Sequence, residues 1–257
     1  MCLFFNFFGH QIPSYGFMIA LGVIIANCIA LCLIKRYKLD INDFFILQGY
    51  CLFGAYVGSK GLYLAVSYKT IEWHRLLDFA YLNDFMKTGF VFYGGLILGT
   101  ILFFLAGKIH KIDAKLYAKT FIFLIPMIHA FGRLGCFFAG CCYGIPYDKF
   151  GAVIFPANSY ALANVPLFPV QLVEAIILLM IACIILYLQI AKKCKYTIEI
   201  YLILYAITRF FLEYVRYDSA RGKFWLFSTS QWISICVIVV VVFLMGENKK
   251  KSRVSSS

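Results

Sequence analysis

Charge is scarce in this chain: Asp and Glu together number 12 of 257 residues, and charged side chains of both signs make up 14%. A soluble domain carries about a quarter charged residues. The shortage excludes a water-solvated globule, a disordered segment and a nucleic-acid binder with a wet core. Proline is limited to 6 residues and the 19 glycines follow no triplet period, which excludes a collagen-like fibre. Ten cysteines spread over 257 residues are too dilute for a small disulfide-knotted secreted domain. What the chain has in quantity is apolar surface, 63% of residues, with a mean hydropathy of +0.84. That is the composition of a chain dissolved in lipid.

The apolar residues fall into seven stretches, at 15–34, 44–66, 90–107, 118–137, 169–191, 197–217 and 230–246. About 20 apolar residues make a helix that crosses the hydrocarbon core, and barrel strands are shorter and alternate. The expected fold is an all-α polytopic membrane protein with about seven transmembrane helices, forming one domain over 1–246. The tail at 247–257, KKKSRVSSS at its end, is expected to be a disordered cytoplasmic segment. The first residues, MCLFFNFFGH, lack a basic start and a small-residue cleavage site, so no cleavable leader is expected.

Of the 24 Lys and Arg, 14 lie in the connectors after the first, third, fifth and seventh stretches: Lys35, Arg36 and Lys38; Lys108, Lys111, Lys115 and Lys119; Lys192, Lys193 and Lys195; Lys249, Lys250, Lys251 and Arg253. The opposite connectors hold six. The positive-inside rule places the N-terminus outside and the C-terminus in the cytoplasm. Most of the net charge of +12 is thereby a topology signal, and no nucleic-acid partner is expected.

Four cations remain within or at the ends of the stretches: Lys60, Arg133, Arg209 and Arg216. A charge at mid-bilayer costs at least about 2.5–3.5 kcal/mol on insertion scales, so each needs a partner or a wet cavity. For Lys60 and Arg216, snorkelling to the interface stands beside function. Arg209, Glu213 and Arg216 are spaced i, i+4 and i+7, which places all three on one face of the sixth helix. Such a triad is either a self-satisfied ladder or an inward-facing cationic site for an anionic headgroup. Arg133 sits in Gly132-Arg133-Leu134-Gly135-Cys136, followed by Gly140-Cys141-Cys142-Tyr143-Gly144. Tyr93-Gly94-Gly95-Leu96 opens the third helix from the same, external side. Glycines at helix ends permit close approach, and the two mouths with buried arginines describe an anion pocket reached from the outer leaflet.

These residues carry a resemblance. The chain resembles the bacterial prolipoprotein diacylglyceryl transferase family in six collinear segments: Tyr15-Gly16; Phe92 to Leu96; Gly132 to Gly135; Phe168-Pro169-Val170-Gln171-Leu172-Val173-Glu174; Arg209 to Arg216; and Ser228 to Trp232. It departs from the family pattern where histidines are usual, at Tyr93 and Phe168. It also departs where the signature is polar, at Cys136, Ala139 and Cys141. The chain is therefore placed in a divergent, cysteine-bearing branch.

The resemblance implies a multi-pass enzyme of the bacterial cell membrane, active toward the outer leaflet, monomeric and without a cofactor. It would transfer a diacylglyceryl group from phosphatidylglycerol to the lipobox cysteine of a prolipoprotein, releasing glycerol-1-phosphate. Arg133 and Arg209 would stabilise the departing phosphate, and Glu213 would orient Arg209 or Arg216. Tyr15, Gly94 and Gly95 would line the headgroup site. Gln171 and Glu174 would hydrogen-bond the substrate glycerol or the neighbouring helix. Two residues stand as candidate base. Tyr93 occupies the family's histidine position, and His129 lies one helical turn before Arg133. On this reading Tyr93→Phe abolishes lipidation and His129→Gln does not.

Cys136, Cys141 and Cys142 cluster at the external mouth. The first expectation is a thiol or disulfide bracing the loop, without a choice of pair. No histidine or acidic set completes a zinc site beside them, so no metal is expected. The other cysteines, Cys2, Cys28, Cys32, Cys51, Cys183, Cys194 and Cys236, read as small apolar fillers. Asp148, Lys149, Asp218 and Arg221 read as solvated loop charges. Two further readings stand beside the transferase: a non-catalytic lipid-binding or transport protein, and a thiol-redox membrane enzyme using the external cysteines.

Overall fold

The computed structural model describes residues 3–7, 10–87, 89–157, 159–217 and 223–254. Asp218 and Arg221, as well as Cys2 and the last three residues of the tail, lie outside them.

Strands β1 (Phe4–Phe7) and β2 (His10–Pro13) form an antiparallel pair that feeds α1 (Ser14–Tyr37). Helix α2 (Ile41–Val66) starts at Asp40, whose carboxylate accepts the Asn42 N–H at 2.6 Å, a side-chain N-cap. A 3-10 turn (Trp73–Leu77) and α3 (Phe79–Lys87) lead to α4 (Phe92–His110). Then come α5 (Ala114–Phe121) and α6 (Leu124–Ala139). A loop region carries β3 (Val153–Ile154) and β4 (Pro166–Leu167) before α7 (Val170–Lys192). After α8 (Thr197–Leu212), strands β5 (Lys223–Phe224) and β6 (Phe227–Ser228) precede α9 (Thr229–Val254).

Helices stand over all seven predicted stretches, and the described residues are mostly helical, as expected of a polytopic membrane protein. Among the described residues, three short antiparallel strand pairs lie in the segments outside the helices. Backbone polar groups that leave a helix must still be paired, and strand pairing is how these segments do it. Among the described residues four helices, α1, α4, α7 and α9, are long and apolar enough to cross a bilayer, or five if the bent pair α5 and α6 is one span. Helix α8 has 16 residues, about 24 Å at the helical rise, against a hydrocarbon core of about 30 Å. Helix α9 continues to Val254, so the start of the segment expected to be disordered is helical.

Where basic connectors follow helices, lysines take the left-handed conformation: Lys38 (φ 53°), Lys111 (φ 58°) and Lys193 (φ 48°). That residue ends each helix and places a cation at the negative pole of its dipole. The predicted span 118–137 is interrupted at Ile122–Phe123. The cause is Pro126: it has no N–H to offer the Ile122 carbonyl and is accommodated only in the first turn of α6.

The chain packs as two compact units, residues 1–33 with 119–257, and residues 34–118. In the second unit, α2 and α4 interlock through glycines. A Cβ added at Gly58 would stand 2.2 Å from the Gly94 carbonyl oxygen, and one at Gly95 would stand 2.7 Å from that of Ala55. Small residues at a membrane helix interface permit this backbone approach. Lys60, buried on α2, donates to the Phe85 carbonyl, and its ammonium lies 4.1 Å from the Phe85 ring centre and 5.0 Å from that of Phe90. An aromatic cage and a carbonyl thus hold a cation that the sequence left between snorkelling and function. In the first unit, Phe123, Phe155, Leu178 and Ile185 are fully buried together with Ala26, Ala30, Ala130 and Ala182, while Ile24, Met180, Tyr187 and Phe243 face outward.

Candidate active site

The first unit gathers its charges around one carboxylate. Glu174, in the first turn and a half of α7, is completely buried. Its Oε2 lies 3.0 Å from Nε of Arg133 and 3.7 Å from Nη1 of Arg216, and its Oε1 lies 3.9 Å from Nε2 of His129. His129 and Arg133 are one turn apart on α6, so a single helix face presents both to α7. The His129 ring is fixed edge-on by Tyr205 at 5.5 Å, and Tyr205 stacks on Tyr201.

A second pair lies at the end of α8. Nη2 of Arg209 is 2.8 Å from Oε2 of Glu213 and donates to Oγ of Ser230 at 3.2 Å. The expected face of three charges is corrected here. Helix α8 stops at Leu212, Glu213–Val215 form a 3-10 turn, and Arg216 is extended (φ −87°, ψ 141°). Arg216 leaves the helix because its backbone pairs with Gly144, and its guanidinium is thereby delivered to Glu174 rather than to Glu213.

That pairing is part of a small backbone assembly. Ile145 donates to the Val215 carbonyl and Tyr217 to the Tyr143 carbonyl on one edge. On the other, Phe168 donates to the Ile145 carbonyl and Tyr147 to that of Pro166, and Leu167 also pairs with Val153. Gly144 sits between neighbours on both sides: an added Cβ would stand 2.5 Å from the Phe168 carbonyl oxygen and 2.8 Å from that of Val215. Only glycine admits both. The segment 143–147 therefore ties the end of α6, the start of α7 and the end of α8 into one frame around Glu174.

Gln171, one turn before Glu174 and fully buried, donates from Nε2 to the Cys141 carbonyl at 2.8 Å. Its Oε1 is a buried acceptor with no partner among the described residues, and Nη1 of Arg209 is a buried donor in the same condition. Cys136, Cys141 and Cys142 are all free thiols, and their sulfurs lie within 4.8 Å of one another. Hydrogen bonds from the Cys136 and Cys141 thiols hold the Cys142 thiol below its ordinary range, against the effect of burial. The guanidiniums of Arg133 and Arg216 act in the same direction.

Of the residues expected at the site, Arg133, His129, Glu174 and Arg216 meet directly, and Arg209 pairs with Glu213. Tyr15 is half exposed, with its backbone against Gly135, where an added Cβ would stand 3.0 Å from the Tyr15 Cα. Tyr93, Gly94 and Gly95 belong to the second unit, where the glycines serve the α2–α4 contact and Tyr93 is 46% exposed beside Phe92. The central part of Glu174 was undervalued in the sequence. Its signal was there, an acid in an apolar run facing two otherwise unexplained arginines.

Residues 3–246 match the family model described as "Prolipoprotein diacylglyceryl transferase". The chain is 36% identical over 247 residues to "Phosphatidylglycerol--prolipoprotein diacylglyceryl transferase 2" of Clostridium perfringens (strain 13 / Type A), covering 96% of this chain and 94% of the relative. It is 32% identical over 243 residues to the phosphatidylglycerol--prolipoprotein diacylglyceryl transferase of Clostridium tetani (strain Massachusetts / E88), covering 94% and 95%. The family model covers nearly the whole chain, and both relatives match it over more than nine-tenths of its length: the chain belongs to the prolipoprotein diacylglyceryl transferase family.

Proposed function

We propose that this chain transfers the diacylglyceryl group of phosphatidylglycerol to the cysteine thiol of a prolipoprotein, releasing glycerol-1-phosphate. The observation that carries the reading is the convergence of Arg133 and Arg216 on the fully buried Glu174. The reaction replaces a carbon–oxygen bond to phosphate by a carbon–sulfur bond, and negative charge grows on the departing phosphate oxygen. Guanidiniums already fixed in a low-dielectric site stabilise that charge without reorganising. Arg133 and Arg209 take this role, the second through its unpartnered Nη1. Glu213 orients Arg209, and Glu174 orients Arg133 and Arg216. The unpartnered Oε1 of Gln171 suits a glycerol hydroxyl, and the half-exposed Tyr15 suits the rim of the headgroup site.

For the proton of the attacking thiol, His129 is supported over Tyr93. Its Nε2 faces the Glu174 carboxylate at 3.9 Å, its ring is held by Tyr205, and about a quarter of its side chain is exposed. A base needs geometry before basicity, and His129 has it.

The chain is read as one functional domain that crosses a bacterial cytoplasmic membrane seven times as a monomer, with the N-terminus outside. Its site opens to the outer leaflet. The asymmetry of its basic connectors supports that orientation. The test is rescue of a strain depleted of its own transferase, with mass spectrometry of a model prolipoprotein. A diacylglyceryl mass increment on the lipobox cysteine is the expected result. An inserted, folded chain that adds none overturns the reading.

A further inference from the structure

The end of α6 turns back on itself. Gly140 (φ 73°) and Cys142 (φ 58°) both take the left-handed conformation, and the Cys141 N–H returns to the Cys136 carbonyl at 3.1 Å. A side chain at Gly140 would meet Ser159 at 2.7 Å, so the turn is also closed from outside. The left-handed backbone is natural for Gly140, but for Cys142 it carries strain. The result of that strain is that the fifth and sixth residues after Cys136 bring their thiols back to it. Three sulfurs stand within 4.8 Å of one another, and none is in a disulfide. Sulfurs bound to one tetrahedral zinc ion, each at about 2.3 Å, stand roughly 3.8 Å apart. The cluster already has that scale.

We propose that Cys136, Cys141 and Cys142 bind one Zn²⁺ ion through their thiolates and leave its fourth position for the cysteine thiol of the substrate. The second half of this proposal rests on the diacylglyceryl-transfer reading above. Soft thiolates select zinc over the hard cations, and three protein ligands with one open position is the arrangement of reactive zinc sites. Three thiolates and a divalent cation carry a net negative charge, and Arg133 stands three residues before Cys136 on the same helix to balance it. Cys136 sits on α6 in register with Arg133. The Cys141 carbonyl is held by Gln171, one turn from Glu174 on α7. The cysteine turn is therefore anchored to both helices that carry the arginine–glutamate centre.

The chemistry closes without an oxidant or reductant. The substrate thiol enters the open position and loses its proton to His129 or to water, because a coordinated thiol is deprotonated. Its sulfur attacks the glyceryl carbon, a carbon–sulfur bond forms, and the carbon–oxygen bond to phosphate breaks. The electron pair leaves on the phosphate oxygen of glycerol-1-phosphate.

The test uses the full chain in detergent, stripped by a chelator and titrated with Co²⁺ as a spectroscopic stand-in for Zn²⁺. The expected result is one Co²⁺ per chain with thiolate charge-transfer absorption, displaced by Zn²⁺. Cys141→Ser and Cys142→Ser should each weaken binding on the order of tenfold or more. In the unaltered chain, Zn²⁺ should protect these three thiols from alkylation, a readout that needs no variant to fold. A lipobox peptide should raise the charge-transfer intensity, and the same peptide with serine for cysteine should not. Absence of charge transfer with alkylation unchanged by Zn²⁺, or a disulfide among the three in the isolated chain, overturns the site. A cobalt spectrum indifferent to the cysteine peptide overturns the fourth position. A metal-free chain that lipidates at full rate overturns the proposal and leaves the transferase reading standing. A chain that binds metal and peptide but never lipidates does the reverse.

Discussion

Nε of Arg133 lies 3.0 Å from Oε2 of Glu174, and Glu174 has no solvent exposure at all. Taking one partner from a buried pair leaves the other charge uncompensated and costs about 3–5 kcal/mol. A second guanidinium, that of Arg216, and the imidazole of His129 face the same carboxylate. Glu174→Gln is expected to lower thermal stability in detergent by that order and to abolish lipidation. A variant as stable as the unaltered chain would show that the pair is not the centre of this unit.

Arg133→Lys should not rescue function. A lysine ammonium is a point charge on a flexible stem and cannot reproduce a planar guanidinium that faces Glu174 through Nε. The expected loss in lipidation rate is about 10²–10³-fold, the scale of removing one fixed donor to a developing anion. Steady-state rates with phosphatidylglycerol vesicles and a lipobox peptide would measure it, and a loss smaller than tenfold would place Arg133 outside the phosphate site.

His129→Gln is expected to slow lipidation by about 10²–10⁴-fold, the usual contribution of a general base. Tyr93→Phe is expected to leave the rate within a few fold. The sequence favoured the opposite order, because Tyr93 stands at a histidine position of the family. What changes the weighting is the carboxylate 3.9 Å from His129 and the exposure of Tyr93. The two variants measured side by side decide between the orders.

Gly58→Ala should destabilise the second unit without touching the chemistry. Its Cβ would stand 2.2 Å from the Gly94 carbonyl oxygen, which is backbone and yields only if α2 and α4 part. Overpacking of this kind costs roughly 1–3 kcal/mol. A lowered unfolding temperature, with the specific rate of the remaining folded protein unchanged, is the expected pair of results.

How much of this was legible before the structure differs from one residue to the next. Helix positions were, because apolar runs and lysine-rich connectors are local signals; Lys38, Lys111 and Lys193 end helices where the charge pattern changes sides. Arg133 and Arg209 were marked by the cost of charge in lipid. The partner of Arg216 was not legible. Helical spacing placed Arg216 with Glu213, whereas a strand pairing with Gly144, 72 positions away in the chain, draws it to Glu174. No periodicity in a sequence reports a long-range backbone bridge. Nor did the spacing of the cysteines show that two left-handed residues would bring all three sulfurs together.

The segment through Gly144 is held on both edges by main-chain bonds. Its length is therefore fixed: one residue added between Cys142 and Tyr147 would put the bonds on one side of the insertion out of register with those on the other. The bridge that holds the Arg216 backbone beside Glu174 would then be broken with every charged residue still present. Loss of activity in such a chain would follow from a single inserted codon, although no residue that carries the chemistry had changed.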